Sequence, residues 1–446
     1  MKSNSTFAPG REWMITGLLC LFMAINFADK AVLGLVAVPL MQELQLSPAQ
    51  FGSIASGFFL LFAISGVLVG FLSNRVSTKI LLLVMAIIWS VSQLPLALAP
   101  SVPLLFASRI LLGAGEGPAY PVAIHALYKW FPDQRRNLPT SIVMQGSQIG
   151  LLVAGPLVTI CTLKYGWRAA FLVLAAVGAL WALAWWCFGA EGANKETSTI
   201  AKNPEKKVSY VALIFDRTIL GNMLAFWAAY WLITLTFTWI PSYLQKVMHF
   251  DALTAGWLFS AFVAINIPIV IGGSWLSQRL LKRGMSSRVA RVGLGSVSTC
   301  AGGLLILLAV TQIDDRLVKT LLLAVGCGLP QVAIALSATI LAEIVPSPQR
   351  GAMLAISNSV GTTAGVLAPV VTGFLIQGVP DLATGYSHGL TLAAGLALFA
   401  GVLGGLLMNP ATSKRRFSVN ACEEASALVS DVQTKYPSKV ERERLA

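Results

Sequence analysis

Twelve runs of mainly apolar residues divide this chain, the first at 13–38 and the last at 387–408. Each is about long enough to cross a hydrocarbon layer of roughly 30 Å, which takes about 20 helical residues. No water-soluble fold absorbs so many such runs. The charge content agrees: 11% of the 446 residues are charged and 56% apolar, whereas the wetted surface of a soluble domain needs about a quarter charged residues. Mean hydropathy is +0.74. The expected fold class is all-α integral membrane, with 12 transmembrane helices and the lipid bilayer as its surroundings.

A secretory signal is the other reading of the first run. That run is longer than an h-region, contains Asp29 and Lys30, and is followed by no small-residue cleavage site. It is therefore expected to stay as the first helix. The net charge of +13 does not point to a nucleic-acid partner, because of where the basic residues lie. Of the 32 Lys and Arg, Lys30 and Arg109 fall within spans, and Lys164, Arg168, Lys246, Arg316 and Lys319 in loops of one face. All the others fall on the face that carries both termini. That bias predicts cytoplasmic N- and C-termini in a multi-pass protein of the inner membrane. The six cysteines are scattered without a metal or redox spacing and read as packing residues.

One long internal polar stretch, Glu191 to Asp216, splits the spans into six and six. The expected organisation is a short N-terminal segment 1–12, a six-helix bundle 13–189, a linker 190–217, a second six-helix bundle 218–408 and a polar tail 409–446. The halves resemble each other. Phe131-Pro132-Asp133-Gln134-Arg135-Arg136 precedes a span with Gly155-Pro156, and Val345-Pro346-Ser347-Pro348-Gln349-Arg350 precedes one with Ala368-Pro369. Paired helix interruptions of this kind point to a repeat-built transporter with its site between the halves.

Four charged side chains lie deep in spans: Asp29 and Lys30 in the first, Arg109 and Glu116 in the fourth (104–128). Each costs about 2.5–3.5 kcal/mol at a helix centre, so they face a partner or a water-filled cavity. Arg109 and Glu116 are two turns apart on one face, about 10.5 Å. Arg109 offers a planar fork suited to a carboxylate and Lys30 a compact point charge. Together they can hold one organic anion. Asp29 and Glu116 can take up protons, which would release the two bases for substrate. Alternatively, two acids and two bases could neutralise one another as buried salt bridges that lock the bundle.

Other candidates carry less chemistry. Gln145 and Gln148 are polar at a depth where each must find a partner, and Gln148 is the better candidate for substrate contact. Tyr230 and Trp231 lie deeper than the interface aromatics Trp239 and Tyr243 and are candidates to line the substrate site. His125 reads as a hydrogen-bonded interface residue, and Glu343 as a gate or surface partner of Arg350. No phosphate-binding glycine loop followed by lysine, metal-ligand cluster or nucleophile triad is present. No cofactor and no metal are expected.

Asn26-Phe27-Ala28-Asp29-Lys30 resembles the Asn-Tyr-x-Asp-Arg signature of the anion:cation symporter family within the major facilitator superfamily. Arg109 to Gly113, Glu116 and Pro118 to Pro132 are similar to that family's fourth-helix signature. Trp239 to Leu244 and Asn358-Ser359-Val360-Gly361 match in the later helices. The resemblance runs from the first helix to the twelfth. It implies the major facilitator fold, alternating access and proton-coupled uptake of carboxylates such as sugar acids. By that resemblance Asp29 and Glu116 match coupling acids, Lys30 and Arg109 substrate-binding bases, and Gln148 and Asn358 contacts to substrate hydroxyls. Three departures stand out. Lys30 replaces an arginine, and Phe27, a candidate lining residue, replaces a tyrosine. The gate motif survives as Gly70 to Lys79, with Arg75 and Lys79 kept but Asn74 in place of aspartate.

The expected function is a secondary active transporter, acting as a monomer, that imports a small organic anion with protons. The anion could be a sugar acid, a small organic acid or an aromatic acid. An anion exchanger or exporter on the same fold is the alternative. A membrane-embedded enzyme would need a catalytic constellation that the sequence does not offer, and a channel would not need two repeated halves.

Overall fold

The computed structural model describes residues 10–73, 75–98, 101–192 and 208–417. Asn74 of the gate motif, most of the linker and the tail beyond 417 lie outside the described residues. The described chain is helical throughout, with no strand. The principal helices are α1 (Arg11–Leu35), α2 (Pro48–Leu72), α3 (Thr78–Leu98), α4 (Val102–Glu116), α5 (Ala119–Tyr128), α6 (Asn137–Tyr165) and α7 (Trp167–Phe188). In the second half they are α8 (Arg217–Thr238), α9 (Ala252–Lys282), α10 (Arg288–Gln312), α11 (Arg316–Ile344), α12 (Ser347–Gln377) and α13 (Leu382–Leu407).

Eleven of these are long and apolar enough to cross a membrane. The expected fourth span differs: it is two helices, α4 and α5, broken at Gly117-Pro118, and neither half reaches that length. Proline cannot donate the next backbone hydrogen bond, so the helix stops directly after Glu116. Several loop acids prove to be helix caps. Asp251, Asp315 and Asp381 each accept from a backbone N–H in the first turn of α9, α11 and α13, and Ser47 with Gln50 forms a capping box on α2.

Within the first half α1 packs on α6, α2 on α4 and α3 on α7; within the second, α10 packs on α11 and α13, and α8 on α12. The halves meet where α2 runs along α12 and α6 along α9. The apolar cores show how they meet. One core takes residues from both halves, such as Leu40, Phe51 and Phe171 with Trp239, Phe259 and Tyr386. The other two belong to one half each: Phe22, Trp89 and Trp185 in the first, Met223, Ile340 and Phe417 in the second. The shared core lies away from the termini and the separate cores towards them. The halves are thus sealed together at one face and parted at the face that carries the termini.

Backbone contact makes the seal. A Cβ at Gly52 would overlap the Pro369 carbonyl, and one at Gly155 the Gly256 carbonyl. Ser260 Oγ donates to the Leu152 carbonyl at 2.7 Å and the Ala49 N–H to Gln377 Oε1 at 3.3 Å. Small residues at such seams let helices approach to main-chain distance.

Candidate functional site

The four buried charges converge where the sealed and open regions meet. α4 is held against α2 at Gly113 and Gly117, where a side chain would overlap the Phe58 and Phe62 carbonyls. That approach carries Arg109 and Glu116 inward, opposite Asp29 and Lys30 of α1. Lys30 Nζ donates to Asn26 Oδ1 at 2.7 Å, lies 3.8 Å from Glu116 Oε2, and sits over the Phe27 and Phe62 rings at 4.1 and 5.0 Å. Asp29 points the other way, into the first half, where its Oδ1 accepts from Gln93 Nε2 at 2.9 Å. Arg109 Nη1 reaches only the Asp29 backbone carbonyl, at 3.5 Å, and the guanidinium lies 5.5 Å from the Phe171 ring centre.

Two mutual salt bridges are therefore not what the structure contains. Among the described residues Lys30–Glu116 is the ion pair of this group, and Arg109 does not form one with Asp29. Arg109 Nε and Nη2 are buried with no hydrogen-bond partner, as are both Glu116 oxygens. Nε and Nη2 form one edge of the guanidinium, the geometry that grips a carboxylate through two parallel bonds. Lys30 and Arg109 line a cavity of about 20 Å³ with Leu33, Ala55, Phe58, Phe59, Phe237 and Thr238. It has room for about one water.

Phe27 and Tyr230 are partly buried where the shared core meets that of the first half. Tyr230 makes an edge contact with Phe59 at 6.0 Å and stacks on Phe226 at 6.1 Å. Trp231 is instead buried in the shared core beside Trp227, off the cavity wall, with its indole N–H unpartnered. Gln148 is half-buried in the helical row 148, 152, 155, 159, whose later members meet α9. It stands one turn nearer the open face. Asn358 is exposed in the row 358, 362, 365, 369, whose later members meet Phe59 and Gly52 of α2. Both polar residues thus lie on the inner faces where the halves part.

The gate residues separate. Arg75 is exposed. Lys79 is tied within its own half: its Nζ donates to the Trp186 carbonyl at 3.3 Å and its backbone N–H to Glu191 Oε2 at 3.1 Å. His125 Nδ1 lies 3.1 Å from Ser73 Oγ, as a hydrogen-bonded interface histidine should. Glu343 does not pair with Arg350. It bonds Arg291 and Ser287 at the start of α10, while Arg350 Nε donates to the Val345 carbonyl at 3.0 Å. The register of α10 against α11 decided that partner, not closeness in sequence.

Sequence reading missed Gln93 and Glu191. Gln93 carried the same signal as Gln148, a polar amide deep in a span, and went unremarked. Glu191 gave no signal. Its carboxylate accepts from Ser77 Oγ (2.7 Å), the Thr78 hydroxyl (3.0 Å) and the Lys79 N–H, and pairs with Lys129. Burial opposes ionisation of this group, but those hydrogen bonds and the Lys129 ammonium hold its carboxyl down to about 2.

Residues 19–334 match the family model described as Major Facilitator Superfamily. A protein of Cupriavidus necator described as a probable sulfoacetate transporter is 28% identical over 416 residues, covering 89% of this chain and 94% of its own. The hexuronate transporter of Bacillus subtilis is 26% identical, covering 86% and 92%, and the D-galactonate transporter of Escherichia coli 25%, covering 87% and 94%. Among solved structures, a bacterial homolog of the human lysosomal transporter Spinster, inward-facing and unoccupied, superposes with a TM-score of 0.77. The identity is 18%, over 92% of this chain and 99% of that one, which makes it a likeness of fold.

Proposed function

We propose, since the chain belongs to the Major Facilitator Superfamily, that it is a secondary active transporter importing a small organic anion with protons by alternating access. The family is one of multi-pass membrane transporters, and the relatives above carry sugar acids and organic anions; an enzyme reading has no place in it. In this proposal twelve crossings result when α4 and α5 count as one bent span. The two six-helix bundles are 13–189 and 218–408, both termini are cytoplasmic, and the membrane is the inner one. The cleft that opens at the termini then makes this an inward-facing arrangement of a monomer.

The observation that carries the reading is the buried Nε and Nη2 edge of Arg109, which no acceptor among the described residues meets, beside Lys30 at the boundary between the halves. Arg109 grips the carboxylate and Lys30 leaves Glu116 for it, while Asp29 and Glu116 carry the protons. The rest of the cavity wall is apolar, and the Thr238 hydroxyl is already donated to the Thr234 carbonyl at 2.7 Å. This favours a short or aromatic acid over a polyhydroxy one. Gln148 and Asn358 stand nearer the open end for any hydroxyls.

The test is uptake of labelled carboxylates, sulfoacetate and hexuronate included, into proteoliposomes with and without a pH gradient. Accumulation should require the gradient, and Arg109→Lys, which loses the two-point grip, should weaken apparent affinity about tenfold or more. Counterflow that ignores pH would replace this reading with an exchanger.

A further inference from the structure

Gln93 is left without a role by the transport reading, yet it makes the one side-chain hydrogen bond to Asp29 among the described residues. It lies on α3, 64 residues from its partner, and is 1% exposed. Its Nε2 donates to Asp29 Oδ1, while its Oε1 is buried with no hydrogen-bond partner. A tie between α1 and α3 that served packing alone would not leave an acceptor bare, since an unsatisfied buried carbonyl is costly. What would satisfy it is a donor at Asp29, and Asp29 gains a donor when it takes up a proton.

We infer that Gln93 is the positioning residue that lets Asp29 hold and give up a proton inside the first half. The inference rests on the reading of Asp29 as a coupling acid. An ionised carboxylate only accepts hydrogen bonds, whereas a carboxylic acid also donates one. A glutamine amide meets both needs in one volume: its N–H₂ donates to one carboxyl oxygen, and its C=O, side by side with it, accepts from the O–H on the other once Asp29 is protonated. One proton enters from water in the cleft, bonds to an Asp29 oxygen and neutralises its charge. The same proton returns to water when the site has turned to the other face. The other charged groups acting on this site are Lys30 on the same helix and Arg109 and Glu116 on α4. With Asp29 neutral, one of the two anions acting on Arg109 is gone.

The experiment compares wild type, Gln93→Met, Gln93→Asn and Asp29→Asn in proteoliposomes, reading the pH profile of uptake. Gln93→Met removes both faces of the amide at similar volume, so the midpoint should move about one pH unit to the alkaline side, because ionised Asp29 has lost its donor. Gln93→Asn keeps both faces on a shorter stem and should move it back towards wild type. Infrared difference spectra give a second readout. The carboxyl C=O band that disappears in Asp29→Asn should rise in frequency in Gln93→Met, where the acid has no acceptor for its O–H. A Gln93→Met protein with lowered rate but an unmoved midpoint and band would overturn the inference. If Asp29→Asn itself still accumulates substrate on a pH gradient, the coupling role of Asp29 falls instead.

Discussion

Lys30 Nζ stands 3.8 Å from Glu116 Oε2, joining α1 to the last residue of α4 by an ion pair whose anion has no hydrogen bond at either oxygen. The cation is better provided for, with Asn26 and two phenyl rings around it. A buried ion pair held this loosely adds little stability. It suits a group that must exchange one anion for another.

Glu116→Gln should therefore uncouple transport. The neutral amide cannot compete for Lys30, so binding of a carboxylate measured by thermal shift at two pH values should lose its pH dependence. Counterflow should persist while proton-driven accumulation disappears. A Glu116→Gln protein that still concentrates substrate against its gradient would remove this acid from the coupling scheme.

The seal between the halves makes a separate prediction. An alanine at Gly52 or Gly155 puts a methyl group where the Pro369 or Gly256 carbonyl lies. Each substitution should hold the halves apart at the face away from the termini without unpacking either one. Uptake should fall about tenfold or more, the scale of a penalty near 1.4 kcal/mol on closure. A cysteine placed at Phe237, on the cavity wall, should become reactive to an impermeant thiol reagent added at that face. Wild-type uptake by Gly52→Ala would show that the seam does not need this closeness.

Glu191 predicts an acid-sensitive contact outside the membrane. Its carboxyl is held down to about 2 against an ordinary value of 4.5. A group depressed on folding stabilises the fold fully above its unfolded value and loses that contribution as pH falls towards its folded one. Unfolding temperature should drop more steeply between about pH 4.5 and 2 in wild type than in Glu191→Gln, which starts lower and changes less. Parallel curves would mean that the carboxylate contributes nothing to joining Ser77, Thr78 and Lys129.

Much of this protein was legible before its fold. The apolar spans and the four charges set among them follow from the cost of placing residues in hydrocarbon, which each short segment meets by itself. The fourth span was legible as an apolar run but not as two helices, although Gly117-Pro118 carried the signal. The alternative of two mutual salt bridges fails because composition counts charges without saying which way they point: Asp29 and Lys30 are neighbours in sequence, yet a helix turns them to different partners.

Pairing belongs to tertiary structure for the same reason. Whether Asp29 meets Gln93 or Arg109, whether Glu343 meets Arg291 or Arg350, and how Glu191 gathers a remote loop depend on how helices far apart in sequence are set side by side. Which face is sealed depends on it too, because the glycines that let α2 meet α12 and α6 meet α9 have no meaning until their partner backbones are in place. The sequence by itself determined that this chain crosses the membrane and which charges it buries there. Only the packing of its halves decided that two bases would face one small cavity, with an acid beside one of them and an amide holding the other acid.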